Sequence, residues 1–169
     1  MKLIGYVCIC LLGILLVNSC ATKQDQRAGN AKENVDQEQV VVFVCEHGSA
    51  KSIIAAAHFN RLAAEKGLKL RAVARGTNPD EELSSKTVEG LGSDGLKASE
   101  QKPKQLSKDD IVGVSRVVAF CQLPEDYYKA VSVQEWKDVP SVGEDYNKAR
   151  DVMVERIKHL LDEIKMEKK

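Results

Sequence analysis

The chain has 169 residues, 43% of them hydrophobic and 30% charged, which is the make-up of an ordinary soluble protein. Its 25 basic and 25 acidic side chains cancel, so it lacks the basic excess that nucleic-acid binding calls for. Of the five cysteines only Cys45 and Cys121 lie past the N-terminal 20 residues, too few for a disulfide framework, and His58 and His159 have no companions spaced as metal ligands, so no metal and no cofactor is expected.

The N-terminus departs from this average. One lysine, an apolar run from Leu3 to Val17 and small residues before Cys20 have the form of a secretory signal over residues 1–19, because a spanning helix needs roughly 20 apolar residues. Its ending, Leu16-Val17-Asn18-Ser19-Cys20, resembles the lipobox of bacterial lipoproteins, in which the cysteine is acylated and becomes the first mature residue. The resemblance implies lipidation of Cys20, a membrane partner reached through the lipid, and a place in the bacterial cell envelope outside the cytoplasm. Several acyl chains together hold a protein stably where one does not. Residues 20–39 carry no aromatic side chain and mixed charges, so they cannot bury enough surface to offset the entropy of ordering them, and are read as a flexible linker. Residues 40–169 are the size of one domain with one core.

Within that domain, Val40 to Val44 is a β-branched and aromatic run suited to a strand buried on both faces. Ser52 to Lys66 has an apolar face at helical spacing, with Gly67 as its stop. Leu68 to Gly76 alternates as a second strand, giving a βαβ opening. Thr77-Asn78-Pro79-Asp80 reads as a turn, Ser84 to Leu91 as a short helix, and Ser93 to Lys104 mostly as loop. Gly90 to Gly95 spells GxGxxG, but a dinucleotide site needs those glycines directly after a strand, and here a helical stretch precedes them.

Ser107 to Asp110 has the pattern of a helix start, and Arg116 to Phe120 is a third buried strand that runs into Cys121. Val131 to Trp136 reads as a fourth strand, and Gly143 to Lys165 as a long amphipathic helix with Val152, Ile157, Leu160, Leu161 and Ile164 on its apolar side. Alternating strands and helices predict an α/β fold, a four-stranded parallel sheet with helices on both faces.

The chemistry is concentrated in Val41 to Ser52, VVFVCEHGSAKS. A loop that follows a buried parallel strand and opens into a helix collects unpaired backbone N–H groups and the positive end of the helix dipole at one point. That is an anion site, and the field there favours negative charge on a cysteine at its first position, as a sulfur nucleophile requires. Cys45 stands there, with Glu46, His47, Gly48, Ser49, Ala50 and Lys51 forming the loop.

This strand, cysteine, five intervening residues, cation and serine resemble the phosphate loop of the low-molecular-weight protein tyrosine phosphatases and of the arsenate reductases built on the same fold. Ala74-Arg75-Gly76-Thr77 is similar to the family's strand-end Gly-Thr, and Pro103-Lys104-Gln105-Leu106 to its middle loop. The resemblance implies that Cys45 attacks phosphorus or arsenic, that the amides of Glu46 to Lys51 hold the oxyanion, that Lys51 stands where the family has arginine, that Ser52 steadies the sulfur, and that Asp138 protonates the leaving oxygen.

Four departures accompany the match. His47 and Gly48 replace the usual glycine and asparagine, and Gly48 takes the left-handed conformation as readily as asparagine does. Lysine at 51 supplies a point charge in place of arginine's planar fork, so anion binding is expected to survive better than turnover. One residue, Val139, separates Asp138 from Pro140. Ser141-Val142-Gly143 follows where the family's phosphatases carry aromatic walls, with Tyr127 and Tyr128 lying earlier.

Cys121 reads either as a buried strand cysteine or as a redox partner of Cys45. Three functions follow for an oxyanion or phosphomonoester ligand: a tethered phosphatase acting through a cysteinyl phosphate, an arsenate reductase using a thiol relay, or a weakly catalytic oxyanion-binding module.

Overall fold

A computed structural model describes residues 38–167. The signal over 1–19, the lipidation site at Cys20 and nearly all of the linker lie outside the described residues.

The elements run β1 (Gln39–Cys45), α1 (Lys51–Glu65), β2 (Leu70–Gly76), α2 (Ser85–Ser93), a single 3-10 turn (Asp109–Ile111), β3 (Arg116–Ala119), α3 (Glu125–Ala130), β4 (Val133–Glu135) and α4 (Tyr146–Met166). All four strands are parallel, in the order β2-β1-β3-β4. β1 is therefore central, and Val42 pairs with Val73 on one side and with Val117 on the other. The β-branched run suits that place, because both of its faces are covered.

Successive β1 residues enter opposite cores, as a pleated strand requires. Val41, Phe43 and Cys45 face α1 and α4, where Phe59, Met153, Ile157 and Leu161 fill the layer. Phe43 sits at the centre of that core, its ring 5.8 Å from Phe59, 6.3 Å from Phe120 and 5.9 Å from Trp136. Val42 and Val44 face a smaller core with Val117, Ala119 and Leu123, against which Ile111, Tyr127 and Tyr128 pack. Helices thus cover both faces of the sheet.

Several boundaries differ from the sequence reading. β1 begins at Gln39, inside the segment assigned to the linker, because the Gln39 N–H donates to Lys69 O. Ser107 to Asp110 closes only one 3-10 turn, although the Asp110 carboxylate does accept from both the N–H and the hydroxyl of Ser107. α3 was not anticipated, since six residues give no periodicity; its signals are Pro124 before it, acids in its first turn and Lys129 in its last. α4 starts three residues later than Gly143, capped by Asp145, which accepts from Lys148 N–H at 2.9 Å. The turn before that cap places Ser141 to Gly143 beside the end of β1.

Gly67 ends α1 at φ +63 as expected. Of the glycines of the GxGxxG spelling, Gly90 and Gly92 lie within α2, where a Cβ on Gly90 would enter the Tyr146 ring and one on Gly92 would meet nothing, and Gly95 turns the chain after α2 at φ +70.

Candidate active site

β1 delivers Cys45 to the carboxyl edge of the sheet, where a doubly wound fold gathers its ligands. The thiol is 6% exposed, and its Sγ lies 3.1 Å from the hydroxyl of Ser52, a fully buried residue in the first turn of α1. Ala50, which precedes that turn, offers no side-chain cap, so the first amides of α1 keep their hydrogen-bonding capacity.

The loop between Cys45 and Lys51 is shaped from behind. Thr77 N–H donates to Cys45 O at 3.0 Å, Asn78 N–H to Glu46 O at 2.8 Å, Asp80 N–H to His47 O at 3.0 Å, and Ser84 N–H to Ser49 O at 3.1 Å. Four loop carbonyls are thereby turned towards residues 77–84. The amides of Glu46, His47, Gly48, Ser49 and Ala50 donate to no group among the described residues, and are the polar groups left to face a ligand. Such a concave set of N–H groups at a helix start is what an oxyanion needs.

Two glycines permit this arrangement. Gly48 has φ +61, and its backbone presses on Gly76, where an added Cβ would come 2.8 Å from Gly48 N. Gly76 is held in turn by the middle loop: its N–H donates to Lys104 O, and its carbonyl accepts from Leu106 N–H, both at 2.8 Å. The strand-end Gly-Thr and the segment Pro103 to Leu106 thus buttress the loop.

Asp80 grips the loop with its side chain as well. Oδ2 accepts from the buried Ser49 hydroxyl at 2.6 Å, while Oδ1 lies 3.2 Å from His47 Nδ1. The sequence reading treated Asp80 only as part of a turn, and nothing in a Thr-Asn-Pro-Asp turn distinguishes a clamp from a solvated corner.

A cavity of about 260 Å³ opens over Cys45, with Glu46, His47, Lys51 and Cys121 among its walls and Ser141 to Gly143 at its side. A roomier hollow of about 370 Å³ beside Ile111 and Tyr127 contains no cysteine and no loop at a helix start, so chemistry and not volume selects the site. Tyr127 and Tyr128 pack on α3 against the smaller core, and Tyr128 donates its hydroxyl to Glu135, so neither walls the cavity over Cys45.

Lys51 reaches the cavity, but its Nζ donates to Val139 O at 2.6 Å. Asp138 is not brought to the cavity. Arg156 on α4 forks it, with Nη–Oδ distances of 2.8 and 2.5 Å, and stacks over Trp136 with 5.8 Å to the ring centre. The Arg156 guanidinium pulls the Asp138 carboxyl down to about 2, which disfavours the protonated form that a proton donor needs. Sequence reasoning did not foresee Arg156, because the pair spans a loop and nearly three turns of helix.

Cys121 is half-buried and shares the cavity with Cys45. Burial pushes its thiol up, as do the neighbouring Cys45 and Glu46, against a lowering contact from the Thr77 hydroxyl. Both cysteines are free thiols. His58 and His159 lie elsewhere, His58 against Asp94 and His159 against Glu155.

The sequence profile described as low molecular weight phosphotyrosine protein phosphatase matches residues 40–155. A Halobacterium salinarum protein named as a candidate arsenate reductase is 24% identical over 127 residues, covering 72% of this chain and 89% of its own. Among solved structures, YfkJ from Bacillus subtilis shares the fold with a TM-score of 0.67 at 22% identity, over 79% of this chain and 98% of its own. An arsenate reductase from Archaeoglobus fulgidus gives a TM-score of 0.57 at 29% identity, over 72% of this chain and 98% of its own.

Proposed function

The chain belongs to the low molecular weight phosphotyrosine protein phosphatase family, and from that premise we propose that it hydrolyses phosphomonoesters through a cysteinyl phosphate at Cys45. The observation that carries this reading is the 3.1 Å contact between Cys45 Sγ and Ser52 Oγ at the floor of a loop whose carbonyls are turned away from the cavity. The phosphoryl oxygens lie on the loop amides, and the Ser52 hydroxyl donates to the sulfur while it is ionised. Sγ attacks phosphorus, the ester P–O bond breaks, and the alcohol leaves through the mouth. Water then displaces the sulfur and releases phosphate.

Lys51 balances the charge on the oxyanion with the N–H groups that Val139 O leaves available. Ser141 to Gly143 bring no tyrosine to the cavity, whose one aromatic lining residue among the described residues is the buried Phe120, and this supports small phosphomonoesters over phosphotyrosine. Turnover is slow, because a lysine replaces the family's arginine. Rapid-quench trapping with a labelled aryl phosphate tests the reading: label on Cys45 that chases to free phosphate supports it. Tight phosphate binding with neither label nor turnover marks an oxyanion-binding module instead.

One observation favours a second reading, arsenate reduction: Cys121 lines the same cavity as Cys45. In that reaction Cys45 adds to arsenate with loss of water, Cys121 attacks the Cys45 sulfur, and arsenite leaves with two electrons as the disulfide forms. An external thiol then restores both cysteines. A Cys45–Cys121 disulfide that appears in mass spectra only after arsenate is added supports this route.

The lipobox-like ending at Cys20 supports a tether that holds the domain at a membrane of the cell envelope. Incorporation of labelled fatty acid that is lost in Cys20→Ala tests it.

A further inference from the structure

In-line displacement fixes where a proton donor must stand. The sulfur attacks from the floor of the loop, so the leaving oxygen lies on the far side of phosphorus, at the mouth of the cavity. Asp138 is held ionised outside the cavity by Arg156, and the Val139 side chain beside it carries no proton to transfer. The charged and titratable groups at the cavity are Cys45, Glu46, His47 and Lys51 of the loop, and Cys121 after β3. Of these, histidine is the side chain that both gives and takes a proton near neutral pH.

His47 is also oriented for such a task. Its side chain is 55% exposed, as a group at the mouth must be, and its Nδ1 faces Asp80 Oδ1 at 3.2 Å. That carboxylate is itself fixed, through Ser49 Oγ at 2.6 Å and through the Asp80 N–H on His47 O at 3.0 Å. With Nδ1 turned to the carboxylate, Nε2 is the nitrogen left for a substrate. A base held by a third group is the logic of the catalytic triads.

We infer that His47, oriented by Asp80, is the proton donor of this site and takes over the task that Asp138 cannot perform. The inference rests on the phosphomonoesterase reading of Cys45. In the first step the Cys45 sulfur forms its bond to phosphorus, the P–O bond breaks, and the departing oxygen takes the proton from Nε2 of the imidazolium, leaving neutral His47. In the second step water attacks phosphorus, its proton passes to Nε2, the S–P bond breaks, and the thiolate and imidazolium are restored with phosphate released. Asp80 is a positioning residue that also stabilises the imidazolium.

The dependence of rate on the leaving group tests this. p-Nitrophenyl phosphate expels an oxygen that needs little protonation, whereas phenyl phosphate needs a donor. In His47→Gln, kcat/KM for phenyl phosphate is expected to fall about 100-fold and for p-nitrophenyl phosphate about tenfold or less, in keeping with general acid catalysis. Asp80→Asn shows the same selective loss in smaller measure, through kcat and not KM. Added imidazole restores part of the phenyl phosphate activity of His47→Gly, which a purely structural role would not allow. A thermal melt of His47→Gln that coincides with that of the wild type shows that the fold carrying the loop is intact.

Equal losses for the two esters in His47→Gln, or a steeper leaving-group dependence in Asp138→Asn than in His47→Gln, overturn the inference while leaving the phosphatase reading in place. If the wild type hydrolyses neither ester, both fall together.

Discussion

The ammonium of Lys51 donates to the backbone oxygen of Val139 at 2.6 Å, which ties the cation of the anion loop to the segment that follows β4. A lysine has three N–H groups, so two remain for an oxyanion, without the planar fork of an arginine. An arginine there has donors enough for both partners. Lys51→Arg should therefore raise kcat/KM for p-nitrophenyl phosphate, by about tenfold. Lys51→Ala should lower it by about 10² to 10³, the usual effect of losing one aimed donor. Steady-state kinetics at saturating and limiting substrate check both.

Ser52 is wholly buried and its hydroxyl has the Cys45 sulfur within 3.1 Å. A hydrogen bond to a charged group is worth about 1.5 to 3 kcal/mol. Ser52→Ala is thus expected to slow phosphocysteine formation about 10- to 100-fold, read as the burst rate in stopped flow. Cys45→Ser should abolish the burst altogether.

Gly76 and Gly48 touch through their backbones, and a methyl group on Gly76 would meet Gly48 N at 2.8 Å. Backbone cannot yield as a side-chain tip does. Gly76→Ala should cost about 2 kcal/mol of stability, the scale of an overpacked interior. Phosphate affinity falls with it, because the same push moves the loop amides. Urea unfolding with and without phosphate separates the two effects.

These contacts show which parts of the molecule its residues announce. The central strand was legible from Val40 to Val44, because burial on both faces selects a continuous β-branched run, and so was the place of Cys45 between that strand and a helix. Asp80, Val139 and Arg156 were not. Their parts in the site depend on a side chain meeting a loop carbonyl, a cation or a histidine far away in the chain, and no local period records such a meeting. Asp138 illustrates the limit: its neighbourhood in sequence suggests a proton donor, and one arginine on α4 decides its charge.

That arginine also gives the carboxylate a pH signature. Asp138 is pulled down from 3.8 to about 2 in the folded protein by the Arg156 fork. A depressed carboxyl contributes stability that is present above its unfolded value and is lost as pH falls towards the folded one. The pair is exposed, so its contribution is small. The difference in Tm between wild type and Asp138→Asn should be present at neutral pH and shrink across the window from about 4 to about 2. Thermal melts followed by circular dichroism measure it.

The polar cluster that joins α1, α2 and α4 has a second signature, nearer neutrality. Asp94 accepts from Arg150 at 2.6 Å and from the Tyr146 hydroxyl at 2.7 Å, and lies 3.2 Å from Nε2 of the buried His58. Arg61 approaches His58 Nδ1 at 3.3 Å, so Nδ1 acts as acceptor and the ring is neutral with its proton on Nε2. Burial is the main cause that lowers the histidine below its usual 6.5, with Asp94 opposing and Arg61 and Arg150 assisting. A folded value below the unfolded one means that the unfolded chain takes up the proton first. The stability His58 contributes is full above 6.5 and declines as pH falls below it. The melting temperature of the wild type should drop as pH is lowered from about 7 to about 5, and His58→Gln should flatten that part of the curve. Asp94→Ala, which strands a partly buried arginine, should cost about 3 kcal/mol throughout that range. A wild-type melting temperature that stays level over the same interval would show that His58 gains its proton without breaking the cluster.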